Sequence, residues 1–298
     1  MSAASPIGVV PIVWNNADLA DLAAPFSADH VLDEIARLGF EGCQFGIGFP
    51  TGDALAGELG RRGLRLAEVY AALPCTVDGP TANALQVGRE RLRLLHEARG
   101  ELLVAALDGS PGRSEAAGRA GGPDVPCLTE AGWQALAALL EQLAAEARAQ
   151  GHPLVFHPHA GTFVEMPDEL ERLTELTDPD LVGICLDVGH WIVDGGDPVA
   201  ALRRYGERVR HVHVKDVAPA VLGSLRRGDV PDFHAAIRAR IFTELGSGVL
   251  DLDAVMAELM ARHYDGWLMV EQDTCWGPPS EAAAIGHRVL TDALRRAS

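Results

Sequence analysis

Short apolar runs recur along the chain, and most are followed by a longer segment with apolar residues at helical spacing. The run "PLVFHPH" at 153–159 shows the first pattern, and "SADHVLDEIARLGF" at 27–40 shows the second. Apolar runs of about four to eight residues are typical of strands, whereas a repeat at helical spacing is typical of amphipathic helices. Strands are predicted at 7–13, 42–47, 64–70, 101–107, 153–159, 181–187, 209–215 and 266–272.

The segments between these runs carry signals for the start and the end of helices. Ser27 stands where a helix N-cap is expected, and Gly39 follows the last turn of the same segment. The segment 129–151 ends in Gly151 by the same logic. Strands that alternate with helices eight times predict an α/β fold, a single parallel (β/α)₈ TIM barrel domain over residues 1–298. A doubly wound sheet shows the same alternation, but eight repeats favour closure into a barrel.

Two long insertions follow predicted strands and should therefore lie on the C-terminal face, where barrels have their active sites. The first insertion, 108–126, is rich in glycine and proline, and the second covers 217–248. The first has little apolar surface to hold it down, so we expect it to be mobile without substrate or to be ordered only by a partner subunit. It is expected either to close over the site as a lid that excludes water or to be a solvated loop without a role.

Polar side chains stand at the C-terminal ends of four consecutive predicted strands, at this same end of the barrel. The fifth strand ends in His157 and His159, and the sixth ends in Asp187, with His190 in the turn beyond. The seventh and eighth strands supply the other candidates, which are His211, His213, Lys215 and Glu271. Imidazole and carboxylate ligands together suit Mn²⁺, Co²⁺, Zn²⁺ or Fe²⁺ better than Ca²⁺. Asp187, His213 and Glu271, with a histidine of the fifth strand, are expected to bind a divalent cation. His211 is expected to pack lower in the barrel.

Composition narrows the class of protein further. The formal net charge of −17 opposes a nucleic-acid partner and an anionic membrane surface, because both require basic residues. Five cysteines without CxxC spacing are expected to be reduced. The N-terminus lacks the basic and apolar regions of a signal peptide, so a cytoplasmic protein is expected. The sequence leaves open whether the protein forms a homo-oligomer.

Five segments carry a family resemblance: "HPHAGT" at 157–162, "LDVGH" at 186–190, "HVHVKDV" at 211–217, "LGSGVLD" at 245–251 and "GWLMVEQD" at 266–273. In that order they resemble motifs of the inosose dehydratase group. This group belongs to the xylose-isomerase-like barrels, which include sugar isomerases, epimerases and dehydroshikimate dehydratases. The segments "GVVPIVWNNADL" at 8–19 and "GFEGCQFG" at 39–46 look like the first two strands of the group, so the resemblance covers nearly the whole chain.

The resemblance implies a metal site formed by His157, Asp187, His213 and Glu271. His157 stands where many members of the superfamily have a glutamate. His159 and Glu165 are therefore alternative candidates for the metal ligand from the fifth strand. The resemblance also implies that His159, His190 and Lys215 meet the substrate. His159 or Glu271 is expected to remove the proton beside a ketone, and His190 or His159 to protonate the leaving hydroxyl.

The function implied is that of a metal-dependent lyase acting on a small polyol or keto-sugar. The expected reaction is dehydration of a keto-cyclitol such as 2-keto-myo-inositol, through a metal-stabilised enolate and with Mn²⁺ or Co²⁺ ahead of Zn²⁺ or Fe²⁺. A metal-dependent ketose isomerase or epimerase is the alternative, because the three reactions share one intermediate. Trp14, Phe49, Tyr70 and Phe163 are expected either to line the pocket or to belong to the core.

Overall fold

The computed structural model describes residues 5–16, 19, 21, 22 and 24–297 of the chain. Within these residues, eight parallel strands form a closed barrel in which each strand pairs with the next and the last pairs with the first. The strands are β1 Ile7–Val9, β2 Gly42–Gln44, β3 Arg65–Leu73, β4 Leu102–Leu107, β5 Leu154–Phe156, β6 Val182–Asp187, β7 Val209–Val214 and β8 Leu268–Val270. The predicted TIM barrel is confirmed, and the doubly wound sheet is excluded. Ala17 and Asp18, within the motif at 8–19, lie outside the described residues.

Helices surround the barrel, and shorter ones lie in the loops of its C-terminal face. In the described part of the chain they are α1 Ala28–Arg37, α2 Gly52–Arg61, α3 Ala84–Glu97, α4 Pro111–Ser114, α5 Glu130–Ala149, α6 Pro167–Leu176, α7 Val188–Val193, α8 Pro198–Tyr205, α9 Pro219–Arg227, α10 Phe233–Arg238, α11 Leu252–Ala261 and α12 Pro279–Ala297. Ser27 caps α1 as predicted, because its side chain accepts a hydrogen bond from the amide of His30. Gly39 and Gly151 follow α1 and α5 with positive φ angles of 88° and 86°, which favour glycine. Across the described residues, a search for helices with the length and apolarity to span a membrane finds none.

Alternate residues of a strand point into the barrel, and on β8 their polarity rises toward the C-terminal end. The inward residues run from Trp267 through Met269 to Glu271, just beyond the end of the strand. Glycine on the neighbouring strand makes room for the apolar part of this row, since a Cβ on Gly8 would lie 2.5 Å from the sulfur of Met269. The N-terminal part of this row is therefore packed with apolar side chains, and its polar group lies at the C-terminal end.

The second insertion folds into a small layer on the C-terminal face. It carries α9 and α10, and Asp216–Val217 pairs with Phe242–Thr243 as a short antiparallel ribbon. Phe233 and Phe242 belong to an apolar cluster separate from the main core, together with Ala117 of the first insertion. The two insertions therefore pack on each other above the end of the barrel.

The first insertion is anchored by charge as well as by packing. Arg113 in α4 is fully buried and pairs with Glu169 of α6, and Ala117 and Ala120 are buried beside it. The prediction that little holds this segment down is therefore wrong. It counted the apolar side chains of the segment alone, whereas an ion pair between distant parts of the chain also anchors it.

Candidate active site

Donor atoms from three neighbouring strands converge at the C-terminal end of the barrel interior. One possible ligand atom from each of Asp187, His213 and Glu271 lies within 4.8 Å of the other two. Nδ1 of His213 is 3.7 Å from Oδ2 of Asp187 and 2.7 Å from Oε2 of Glu271. Because the carboxyl ends of parallel strands meet at one end of a barrel, β6, β7 and β8 bring these side chains together.

The position of Asp187 is fixed by the start of the next helix. Asp187 ends β6 and is the N-cap of α7, where its Oδ1 accepts hydrogen bonds from the amides of Gly189 and His190 at 2.8 and 2.9 Å. Its Oδ2 points toward His213 instead. Oδ1 therefore caps the helix, and Oδ2 of the same carboxylate has no hydrogen bond among the described residues.

The three converging atoms fit a divalent cation. Each is buried, and none makes a hydrogen bond within the described part of the chain. The 2.7 Å approach of His213 to Glu271 thus lacks the geometry of a hydrogen bond. Buried polar atoms normally have partners, and buried charges are paired or coordinate metals. One imidazole nitrogen and two carboxylate oxygens form a donor set suited to Mn²⁺, Co²⁺, Zn²⁺ or Fe²⁺.

His157 lies beside this group on the fifth strand's side. Its Nε2 is 3.6 Å from Oδ2 of Asp187, and its ring packs edge-on against His213 with centroids 5.2 Å apart. Cys185 also lies near these two histidines, but burial raises the pKa of its thiol to about 12. A thiol that keeps its proton is a poor metal ligand. His157 is therefore the better fourth candidate.

Glu68 on β3 is a site residue that sequence reasoning missed. Its buried Oε2 accepts a hydrogen bond from Nε2 of His213 at 3.0 Å and also contacts Nε2 of His211. Burial opposes ionisation, but the two histidines outweigh it and hold the pKa of Glu68 well below its usual value. A proton on Nε2 leaves the Nδ1 lone pair of His213 directed at the other donors, as in carboxylate–histidine–metal groups. The sequence did carry one signal for Glu68: it is the carboxylate within the apolar run at 64–70 and lies on the same strand face as Tyr70.

Lys215 brings a positive charge into this group of carboxylates. Its Nζ lies 3.3 Å from Oδ2 of Asp187, 3.1 Å from Oε1 of Glu271 and 2.6 Å from Oδ1 of Asp273. Burial opposes the charge, but these carboxylates outweigh it and raise the pKa of Lys215 well above its usual value. A Cβ on Gly189 would lie 2.8 Å from the Lys215 side chain, so glycine is required there. Sequence reasoning missed Asp273, although its spacing of two from Glu271 indicates the same face.

His159 and His190 form a stacked pair, with ring centroids 3.8 Å apart and planes inclined at 34°. Nδ1 of His159 donates to the carbonyl of Ala160 at 2.9 Å, which leaves Nε2 as an acceptor. Burial, reinforced by His157 and Lys215, lowers the pKa of His159 to about 3. Burial also holds the pKa of His190 well below its usual value, and its Nε2 lies 3.0 Å from Nζ of Lys215. Both imidazoles are therefore neutral at neutral pH, and Lys215 carries the charge.

A cavity of about 570 Å³ opens beside His159, within the usual size range of small-molecule pockets. Tyr70 and His159 form part of its inner wall. The insertions supply outer walls, with Ser110, Pro111, Ser114 and Glu115 from the first and Asp232, Phe233, His234 and Ile237 from the second. Of the aromatic residues considered from the sequence, Tyr70 lines the cavity, whereas Trp14, Phe49 and Phe163 belong to the main core.

Glu165, the alternative ligand from the sequence, has other partners. Its Oε2 accepts a hydrogen bond from the amide of Gly161 at 2.6 Å and lies 3.9 Å from Nη2 of Arg113. Burial raises the pKa of Glu165 to about 8, despite the opposing charge of Arg113. A carboxyl group that holds a proton at neutral pH suits hydrogen bonding better than metal binding.

A closed barrel with histidine and carboxylate donors converging at its C-terminal end defines a class, the (β/α)₈ barrel enzymes with a divalent metal site. Residues 32–293 match the family model described as xylose isomerase-like TIM barrel, and the chain belongs to this family. The resemblance drawn from the motifs is thereby confirmed.

Relatives and solved structures agree with this family. The inosose dehydratase of Geobacillus kaustophilus is 33% identical over 90% of this chain and 87% of its own length. The inosose dehydratase of Geobacillus thermodenitrificans is 32% identical over 96% of both chains. The structure of the IolI protein with a binding zinc atom matches 98% of this chain and 99% of its own, with a TM-score of 0.73 at 14% identity. At that identity the match shows the fold.

Proposed function

We propose that the protein is a metal-dependent lyase of the cytoplasm that removes water from a keto-cyclitol such as 2-keto-myo-inositol. The observation that carries this proposal is the convergence of donor atoms of Asp187, His213 and Glu271. Next to them lies His157, whose ring centroid is 5.4 Å from that of His159 in the cavity wall. Similarity to inosose dehydratases over nearly the full chain supports the choice of substrate. The five cysteines are free thiols, which fits a reducing compartment.

The metal would be held by His157, Asp187, His213 and Glu271, with Mn²⁺ or Co²⁺ preferred and Zn²⁺ or Fe²⁺ as alternatives. A divalent cation bound there would supply Lewis-acid chemistry, which polarises a ketone oxygen and acidifies the carbon–hydrogen bond beside the ketone. The mixture of imidazole and carboxylate donors supports these cations over Ca²⁺, which prefers oxygen ligands.

Proton removal from the carbon beside the ketone is assigned to His159, with Glu271 as the other candidate. His159 is neutral, lines the cavity and keeps Nε2 as an acceptor. Oε1 of Glu271 is bound to Lys215, which ties up part of that carboxylate. A well-placed base contributes roughly 10²–10⁴-fold to the rate of such a step.

Protonation of the departing hydroxyl is assigned to Lys215 and His190 together. Lys215 is charged and lies 3.0 Å from Nε2 of His190, which stacks on His159. His159 takes the proton from the carbon beside the ketone, and a hydroxyl leaves the next carbon as water with a proton from Lys215. The double bond that forms between these two carbons belongs to an enol, which tautomerises to the second ketone of the dione. The Phe242 ring, 4.5 Å from the ammonium, keeps water away from this group.

The test is turnover of 2-keto-myo-inositol by protein freed of metal and then supplied with Mn²⁺, Co²⁺, Zn²⁺ or Fe²⁺ in turn. The conjugated dione expected from dehydration absorbs in the ultraviolet, whereas the substrate does not. We expect absorbance to rise with Mn²⁺ or Co²⁺ and to stay flat with chelator. Conversion of a ketose to its epimer or isomer, without any rise from the cyclitol, would instead support the alternative function.

A further inference from the structure

Arg113 joins the first insertion to α6 through a bidentate ion pair with Glu169. Its Nη1 and Nη2 each donate to one oxygen of Glu169 at 2.7 Å, and Nη1 also donates to the carbonyl of Pro126 at 3.2 Å. The Arg113 side chain has no exposed surface. An arginine–carboxylate pair with two parallel hydrogen bonds fixes orientation as well as distance. The pair therefore fixes both ends of the insertion, at α4 and at Pro126, against α6.

The same pair also reaches the loop that follows β5. Oε2 of Glu169 accepts hydrogen bonds from the amides of Glu165 and Met166 at 3.0 and 2.9 Å. The Glu165 carboxyl, 3.9 Å from Nη2 of Arg113, accepts the amide of Gly161 at 2.6 Å. Gly161 has a positive φ of 81° and lies two residues after His159. Arg113 is thus linked through two glutamates to the backbone that carries His159.

A direct contact between the two loops completes the connection. The amide of Ser110, in the insertion, donates to the carbonyl of Gly161 at 3.1 Å. Ser110, Ser114 and His159 all line the cavity. A shift of the insertion would therefore open the cavity wall and move the His159 loop in a single displacement.

We propose that Arg113 is a positioning residue that holds the insertion 108–126 and the His159 loop in the arrangement needed for catalysis. Arg113 is too deeply buried to touch substrate, so it acts through Glu165, Glu169 and the backbone of the loop. The inference rests on the proposed function for its kinetic consequence. We call the contacts that join the insertion to the His159 loop through Arg113 and Ser110 the clamp. Its presence can be measured without turnover.

The experiment compares Arg113→Met and Arg113→Lys with a control in the same insertion. Arg119 donates to the carbonyl of Glu115 and takes no part in the clamp, so Arg119→Met is the matched control. Amide hydrogen exchange of the Mn²⁺-loaded full-length protein reports on the loops directly. We expect faster exchange of amides in 108–126 and 159–166 for Arg113→Met, a smaller change for Arg113→Lys, and none in either segment for Arg119→Met.

Steady-state kinetics, normalised to folded, metal-loaded protein, separate positioning from a loss of fold. We expect kcat of Arg113→Met to fall by about 10- to 100-fold, since a misplacement of about 1 Å can cost this much. KM should rise because one cavity wall opens, and metal content should stay the same. Guanidinium ion added to Arg113→Ala should restore part of kcat by filling the vacated place.

Two results would overturn the inference. One is exchange in 159–166 that matches wild type in Arg113→Met. The other is a kcat per folded molecule that stays at the wild-type value while only the melting temperature falls, which is the mark of a purely structural ion pair. If Arg113→Met does not fold, Arg113→Lys decides by the same two readouts. If wild type fails to dehydrate the cyclitol, the proposed function fails, and the exchange data still decide whether the clamp exists.

Discussion

Substitution of Glu68 by glutamine tests the reasoning about how His213 is prepared for a metal. The amide side chain keeps the shape and an acceptor oxygen, but it removes the negative charge that faces Nε2 of His213 at 3.0 Å. Without that charge, the histidine is a weaker base at Nδ1 and its tautomer is less strongly fixed. We therefore expect Glu68→Gln to weaken metal binding while the barrel stays folded.

The size of the effect follows from the geometry of the contact. Hydrogen bonds to charged groups contribute about 1.5–3 kcal/mol, against about 1 kcal/mol for neutral pairs, so neutralising Glu68 removes on the order of 1–2 kcal/mol. Loss of an outer partner of a metal-binding histidine typically lowers metal affinity by about 10–100-fold. The two figures agree, because about 1.4 kcal/mol corresponds to a tenfold change.

The assay is a competition titration of Mn²⁺ between the protein and a fluorescent chelator. Glu146→Gln is the control, because Glu146 is a carboxylate on α5 that pairs with Arg89 at the surface. The control should bind Mn²⁺ as wild type does, and Glu68→Gln should bind it about tenfold more weakly or worse. Wild-type affinity in Glu68→Gln would refute the proposed role of Glu68 and the proposed orientation of His213.

Three further predictions concern the candidate ligands and the buried carboxyl group. Asp187→Ala should lose both metal and activity with little loss of helical circular dichroism, since it removes a ligand at the mouth of the barrel; an active, metal-loaded variant would contradict the site. His157→Ala should lose metal, whereas His159→Gln should keep metal and lose turnover, and the opposite pattern would exchange the two roles. The folded-state pKa of Glu165, about 8, lies above its usual value of 4.5, so the folded protein holds a proton that the unfolded chain has lost between those pH values. The free energy of unfolding of wild type should therefore fall as pH rises through this window, whereas that of Glu165→Gln should not. The variant's advantage should grow to the order of a few kcal/mol near pH 8 and appear as a growing difference in melting temperature. A margin that does not change with pH would show that Glu165 is ionised throughout.

The barrel could be predicted from the sequence because its pattern is local. Each predicted strand is present, most of them shortened by a few residues, since strand length depends on pairing with neighbours rather than on apolarity alone. The run at 153–159 shows this, because β5 stops at Phe156 and the polar residues His157 and His159 lie just beyond it. A similar rule, polar residues at or just beyond the C-terminal ends of strands, led to Asp187, His213 and Glu271.

The residues that escaped prediction act through partners far away in the chain. Glu68 contacts His213 across 145 positions, and Arg113 pairs with Glu169 across 56. No local period in the sequence reports on such pairs. Asp273 was the exception, since its spacing from Glu271 indicated a shared face and its contact with Lys215 could have been inferred.

The central claim is that this site removes water from a keto-cyclitol with the help of a divalent metal. The most direct measurement is the mass spectrum of the product formed from 2-keto-myo-inositol in deuterated water by protein reconstituted with Mn²⁺ or Co²⁺. We predict a product that has lost one water molecule, formed only when metal is present and not formed by Asp187→Ala. A product that keeps every oxygen of the substrate and carries deuterium beside the ketone would contradict dehydration and identify an isomerase or epimerase.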